Sequence, residues 1–189
     1  MRIIAGTARS VPLKSVPGND TRPTTDRIKE TLFNMIQFEV PGCCFLDLFC
    51  GSGGIGLEAV SRGASKAVFV DSSRAAADCA KQNMMYTKLN DRCVLLCMDA
   101  AASIRTMERK YVFDFIHMDP PYGQGLECGV LQALRGSSVL DGHTKIIIET
   151  DLEQDTESCT CDGYYEITRI KRYKTNQHVF LRIAADAQT

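Results

Sequence analysis

Cys43-Cys44-Phe45-Leu46-Asp47-Leu48-Phe49-Cys50-Gly51-Ser52-Gly53-Gly54-Ile55-Gly56 is the stretch that decides the fold. The run 43–49 is short, continuously apolar apart from Asp47 and without helical period, as expected of a strand buried on both faces. Gly51, Gly53 and Gly56 then fit G-x-G-x-x-G and lead into a helix running to about Arg62. Glycines at such a turn let backbone approach a nucleotide-like ligand closely.

Working outward, Thr24-Thr25-Asp26 precedes a helical pattern through Ile28, Leu32, Phe33 and Ile36 that ends before Pro41-Gly42. Residues 67–71 read as a second strand, followed by a helix from about Ser73 to Tyr86. Residues 93–97 and 113–118 read as strands three and four with a helix between them, and 145–149 as a fifth. The segments 164–173 and 177–183 close the chain as an antiparallel pair. This alternation predicts an α/β fold, a doubly wound, mostly parallel Rossmann-like sheet with an antiparallel C-terminal hairpin and a short N-terminal arm. A single domain is expected over 1–189, with an arm and helix at 1–40, a catalytic core at 41–183 and a tail at 184–189. Ligands of such sheets bind beyond the carboxyl ends of the strands.

With 44% hydrophobic and 24% charged residues in 189, the chain has the composition of a globular protein rather than a disordered one. No apolar run approaches the ~20 residues that span a bilayer. The opening Met1-Arg2-Ile3-Ile4-Ala5-Gly6-Thr7 reaches Arg9 too early for the apolar core of an export signal, so a soluble cytoplasmic chain without membrane contact is expected. Nine cysteines are an odd number in a chain that needs no staples. Cys43, Cys44, Cys50, Cys93 and Cys97 fall in strand-like stretches, where a thiol acts as a small hydrophobe. Cys159-Thr160-Cys161 is one residue short of the usual zinc spacing, so reduced thiols and no metal are expected.

The net charge of -1 is unevenly spread. Residues 1–31 carry Arg2, Arg9, Lys14, Arg22, Arg27 and Lys29 against three acids, and residues 166–182 carry Arg169, Lys171, Arg172, Lys174 and Arg182 against one. The ends sum to +7 and all the other residues to -8. Such ends suit phosphates if they share a face, and are otherwise solvated charge runs.

Asp71 lies 20 residues past Gly51, at the end of strand two, where an acid takes ribose hydroxyls. A solvated turn residue is the plainer reading. Asp47, inside strand one, would repel a pyrophosphate but suits a cationic sulfonium cofactor. Asp99 and Ala100, after strand three, are placed to meet an adenine ring, though Asp99 also fits an ordinary helix N-cap. Asp119-Pro120-Pro121-Tyr122 follows strand four. Its prolines lack N–H groups and hold their φ angles, ending the strand rigidly. The turn offers a carboxylate, a carbonyl and an aromatic ring. Two acceptors on the hydrogens of an exocyclic amine favour a pyramidal nitrogen aimed at a methyl donor, and the ring can stack on an unstacked base. The plainer alternative is a proline turn with a surface tyrosine. His117 has no partner that the sequence names and reads as a sheet histidine.

Asp-Pro-Pro-Tyr after strand four resembles the amino-methyltransferases acting on adenine N6, cytosine N4 or guanine N2. Met1-Arg2-Ile3-Ile4-Ala5-Gly6 with Arg9 and Leu13, and Arg22-Pro23-Thr24-Thr25-Asp26-Arg27-Ile28-Lys29-Glu30-Thr31-Leu32-Phe33-Asn34, resemble the RsmD-type bacterial 16S rRNA guanine-N2 methyltransferases. Leu46-Asp47-Leu48-Phe49-Cys50-Gly51-Ser52-Gly53, Gly56-Leu57-Glu58-Ala59, Ser61-Arg62-Gly63-Ala64 and Asn83 extend the match to about residues 1–183.

The resemblance implies methyl transfer from S-adenosylmethionine to N2 of a guanine in small-subunit rRNA, the position usually called guanine 966, in a monomeric enzyme acting on 16S rRNA within a small-subunit particle. It implies cofactor contacts from Asp47, Gly51, Ser52, Gly53, Asp71, Asp99, Ala100 and Thr24, and catalysis at Asp119, Pro120, Pro121 and Tyr122. RNA contacts are implied for Arg9, Arg22, Arg27, Arg172 and Lys174. The family often has Tyr-Gly in the last hairpin where this chain has Tyr173-Lys174, a departure that bears on RNA contact rather than chemistry. The alternatives are a DNA adenine-N6 or cytosine-N4 methyltransferase, a nicotinamide oxidoreductase with a similar loop, or an inactive RNA-binding module of the same fold. About forty residues at each end leave little room for a duplex-reading module.

Overall fold

The computed structural model describes residues 1–16 and 25–187. Contacts group into two compact units, Met1–Asp99 and Ala100–Thr189.

In the first unit, β1 (Cys44–Leu48), β2 (Lys66–Asp71) and β3 (Cys93–Cys97) pair in parallel in the order β3-β2-β1. The register sets Asp47 beside Phe69 and Asp71 beside Cys97. β1 and β2 are buried almost throughout, as their continuous apolar runs require, whereas β3 is half-buried and Cys97 is exposed. That corrects the expectation that Cys97 packs as a small hydrophobe. All nine cysteines are free thiols.

Three helices accompany this sheet: α1 (Asp26–Ile36), α2 (Gly54–Ser61) and α3 (Arg74–Tyr86). The Thr25 hydroxyl accepts from Ile28 N–H and caps α1, whose Leu32, Phe33 and Ile36 face inward at helical spacing. Every residue of α2 is buried, Glu58 included.

The N-terminal arm folds back on itself. Ile3 N–H donates to the Val11 carbonyl at 3.0 Å, Ser10 N–H to that of Ile3 at 2.8 Å, and Leu13 N–H to that of Met1 at 3.0 Å. Its attachment to α2 centres on Glu58. One carboxylate oxygen accepts from Ile4 N–H at 2.8 Å and faces Lys29 Nζ at 3.2 Å; the other accepts from Ala5 N–H at 3.0 Å and Arg62 Nε at 2.8 Å. Lys29 Nζ also donates to the Arg2 carbonyl at 2.6 Å. Lys29 and Glu58 are both 0% exposed, so Lys29 leaves the basic surface that the charge count gave it. Gly6 comes so close to α2 that an added Cβ would lie 1.9 Å from the Ser61 carbonyl oxygen.

The second unit holds α4 (Ala100–Met107), β4 (Phe115–Met118), α5 (Leu126–Leu134), β5 (Lys145–Thr150), β6 (Tyr165–Arg172) and β7 (Gln177–Ile183). β4 and β5 are parallel; β7 runs antiparallel to both β5 and β6, giving the order β4-β5-β7-β6. A bulge interrupts β6 between Ile167 and Arg169. α5 was not located from sequence. Its N-cap is Gly125 (φ 65°), which has no side chain to cap the helix, so the usual N-terminal signature is missing. Among the described residues, no helix is long and apolar enough to cross a membrane.

Candidate active site

In the first unit the glycine loop is held from several sides. Cys50 N–H donates to the Val70 carbonyl at 3.0 Å, and Gly53 N–H to the Cys50 carbonyl at 2.7 Å. Gly51 and Gly53 have φ of 54° and 79°, the left-handed region that favours glycine. A Cβ on Gly51 would enter open space, so the bare backbone there is presented outward. Gly56 serves packing instead, since a Cβ would come within 2.3 Å of the Phe69 ring on β2. Ser52 is buried, and its carbonyl accepts from Asn83 Nδ2 at 2.9 Å. Asn83 also exchanges hydrogen bonds with the backbone of Lys14, at 2.9 and 3.0 Å. One amide on α3 therefore ties the loop to the N-terminal arm, a role that its place in the motif did not reveal.

Asp71 ends β2 half-buried. One oxygen accepts from Gly51 N–H and the other from Ser73 N–H, both at 2.8 Å. The carboxylate thus closes the loop against the start of α3. Since each oxygen has two lone pairs, one acceptor position on each is left over after these bonds. Asp47 is 2% exposed, and its Oδ2 accepts from Gly56 N–H at 2.8 Å, in the first turn of α2. A buried anion is favourable at that positive helix end. Burial, with Asp47 and Asp71 nearby, pushes the Cys50 thiol well above its ordinary range, which disfavours the nucleophilic thiolate. Asp99 follows β3 and is exposed. Thr24, expected beside the cofactor, and Arg22, expected on RNA, lie outside the described residues.

In the second unit, Asp119 directly follows β4. Asp119 is half-buried, Pro120 buried, Pro121 exposed and Tyr122 46% exposed. The turn therefore keeps its root in the sheet and holds its ring outward. Burial, then the Asp119 charge, raises the Tyr122 phenol above its ordinary range, opposed by a hydrogen bond from Asn176; the ring stays neutral. Ala100, the other half of the expected adenine contact, is buried and opens α4.

The basic residues fall into two groups. Arg9 and Arg27 are exposed and, with Arg2, Ser10 and Glu30, line a cavity of about 430 Å³ in the first unit. Arg172 and Lys174 are exposed at the β6–β7 turn of the second. Asp26 offsets part of the first group, since it lies 3.4 Å from Arg2.

The family model described as conserved hypothetical protein 95 matches residues 1–182. Ribosomal RNA small subunit methyltransferase D of Escherichia coli K12 is 32% identical over 155 residues, covering 81% of this chain and 76% of that protein. The chain belongs to this RsmD-type family. Among other RsmD-type relatives, a Bacillus subtilis protein, YlbH, provisionally named an rRNA methyltransferase, is 37% identical over 181 residues, covering 92% of this chain and 98% of its own. An Escherichia coli structure, yhhF, provisionally described as a methyltransferase, superposes with a TM-score of 0.82 at 28% identity, covering 98% of each chain. The Rossmann-like methyltransferase fold expected from the strand and helix order is the fold of this RsmD-type chain.

Proposed function

We propose that this chain transfers a methyl group from S-adenosylmethionine to the exocyclic N2 of a guanine in 16S rRNA, acting as a cytoplasmic monomer and one catalytic domain on a small-subunit particle. The observation that carries the reading is the Asp119–Tyr122 turn, which puts a carboxylate, two prolines and an exposed aromatic ring at the end of a buried strand. Membership of a family whose named relatives are small-subunit rRNA methyltransferases supports the choice of RNA over DNA.

The residues of the first unit fit this cofactor. Backbone at Gly51 faces open space, and Asp71 keeps an acceptor position on each oxygen for ribose hydroxyls. Asp47 already occupies an amide at the start of α2 that a dinucleotide pyrophosphate would seek, which disfavours the nicotinamide reading. When bound, S-adenosylmethionine supplies an electrophilic methyl group on a sulfonium. The Asp119 carboxylate and the Pro120 carbonyl accept the two amine hydrogens and turn the nitrogen lone pair outward. Tyr122 stacks on the unstacked base. The proton lost from the methylated amine goes to Asp119 or to water. Ser52, Gly53, Thr24, Asp99 and Ala100 complete the cofactor contacts, and Pro121 stiffens the turn. Arg9, Arg22, Arg27, Arg172 and Lys174 bind RNA phosphates.

The test offers labelled cofactor with three substrates: small-subunit particles lacking the modification, protein-free 16S rRNA, and duplex DNA. Digestion to nucleosides should yield labelled N2-methylguanosine from the particles. Label in adenine or cytosine of the duplex would establish the DNA reading, and no transfer to any substrate would leave an RNA-binding module.

A further inference from the structure

His117 on β4, Glu149 on β5 and His178 on β7 stand on three successive strands of the second unit. Glu149 is the direct cross-strand partner of His178, and His117 is paired with Ile147, two residues before Glu149. Because side chains alternate along a strand, all three project from one face of the sheet. They are 1%, 4% and 0% exposed, and one donor atom from each lies within 4.8 Å of the other two. We propose that His117, Glu149 and His178 form a binding site for a divalent transition metal of the zinc type.

Two imidazoles and a carboxylate are a recurrent zinc set, with metal–ligand bonds of ~2.0–2.2 Å. Bonds of that length put tetrahedral donors a little over 3 Å apart, and Glu149 Oε2 and His178 Nε2 are already 3.2 Å apart. The outer atoms of both ligands are held as metal ligands usually are. The Tyr173 hydroxyl lies 2.9 Å from His178 Nδ1, and Asn176 Nδ2 donates to Glu149 Oε1 at 2.5 Å. Three protein donors leave the fourth position of a tetrahedral zinc ion to water. Strands hold donors more rigidly than loops do.

The site is buried on three adjacent strands, which suits an ion that ties the sheet together. It would pin β4 to β5 and β7 immediately behind Asp119, two residues beyond His117. The cysteines are poorer candidates. Among the described residues, no cysteine joins a cluster of three or more metal-ligating side chains.

The test uses the full chain, stripped with a chelator and titrated with zinc, and with cobalt(II) as a spectroscopic reporter. One equivalent of zinc should bind and raise the melting temperature. Cobalt should give visible ligand-field bands without the near-ultraviolet thiolate charge-transfer band that a cysteine site produces. His117→Phe keeps an aromatic ring on the sheet and leaves the Glu149–His178 contact intact; it should retain the wild-type circular dichroism and lose at least about tenfold in metal affinity. If that variant does not fold, His178→Gln is measured in its place with the same expectation. A wild-type chain that binds no metal, a thiolate band, or wild-type affinity in the folded ligand variant would each overturn the proposal.

Discussion

Replacing Glu58 by leucine tests the attachment of the N-terminal arm. The carboxylate serves Ile4 N–H, Ala5 N–H, Lys29 and Arg62 at once, between 2.8 and 3.2 Å. Leucine fills much of its volume and strands the Lys29 ammonium, fully buried, with the Arg2 carbonyl as its remaining hydrogen-bond acceptor among the described residues. Removing one partner of a buried ion pair costs ~3–5 kcal/mol. The two backbone N–H groups add less than their full unsatisfied cost, because the arm can peel away to water. Lys29→Met removes the other partner but leaves the carboxylate three donors, so a smaller loss of about 1–3 kcal/mol is expected. The double variant no longer strands the Lys29 charge and should recover part of the Glu58→Leu loss. Urea denaturation measures the three losses, and hydrogen exchange at the Ile4 and Ala5 amides shows whether the arm has come free. A Glu58→Leu loss below about 1 kcal/mol, or a larger loss in Lys29→Met, would refute the reasoning. The pair also has a pH signature. Burial outweighs Glu58 and holds Lys29 below its ordinary 10.5, so between its folded pKa and 10.5 the unfolded chain binds more protons. The Lys29 contribution to stability therefore rises with pH through that window, and subtracting the Lys29→Met profile from wild type should isolate it.

Asp71→Ala should weaken S-adenosylmethionine binding by ~1–3 kcal/mol, read by calorimetry. It should also lower the melting temperature of the cofactor-free protein, since the carboxylate holds Gly51 and Ser73; unchanged affinity would move the ribose contact elsewhere. Asp119→Ala should abolish methyl transfer in a labelled-cofactor assay with cofactor affinity near wild type, because it removes a contact that matters chiefly in the transition state. Asp119→Asn should keep a trace of activity, and full activity in the alanine variant would sink the catalytic assignment. Charge reversal at Arg27 and Arg172 together should reduce the salt dependence of RNA association, while an unchanged slope in filter binding would make both ends ordinary solvated surface.

The doubly buried strands were legible because a parallel strand needs no polar face, so β1 (Asp47 apart), β2 and β5 read as apolar runs. Motif spacing picked out the candidate residues at the strand ends, Asp71 and Asp119 among them. What the sequence withheld depends on partners far along the chain. Lys29 counted as a surface charge until the fold set it against Glu58, and Asn83 matched the family pattern without showing that it joins loop to arm. Asp71 read as a ribose ligand, and its grip on Gly51 became visible only through a backbone N–H that no side-chain pattern encodes. His117, Glu149 and His178 are about thirty residues apart, and strand register alone makes them neighbours.

Glu58 grips Ile4 and Ala5 by their main-chain N–H groups, whereas Gly6 meets the Ser61 carbonyl through the absence of a side chain. Three consecutive residues should thus tolerate variation very unequally. Positions 4 and 5, though both only half-buried, hold the clamp through atoms common to nearly every amino acid, and proline alone lacks the required donor. Position 6 admits nothing larger than hydrogen. In a saturation library selected for folding, the first two columns should fill broadly with proline missing, and the third should hold a single letter.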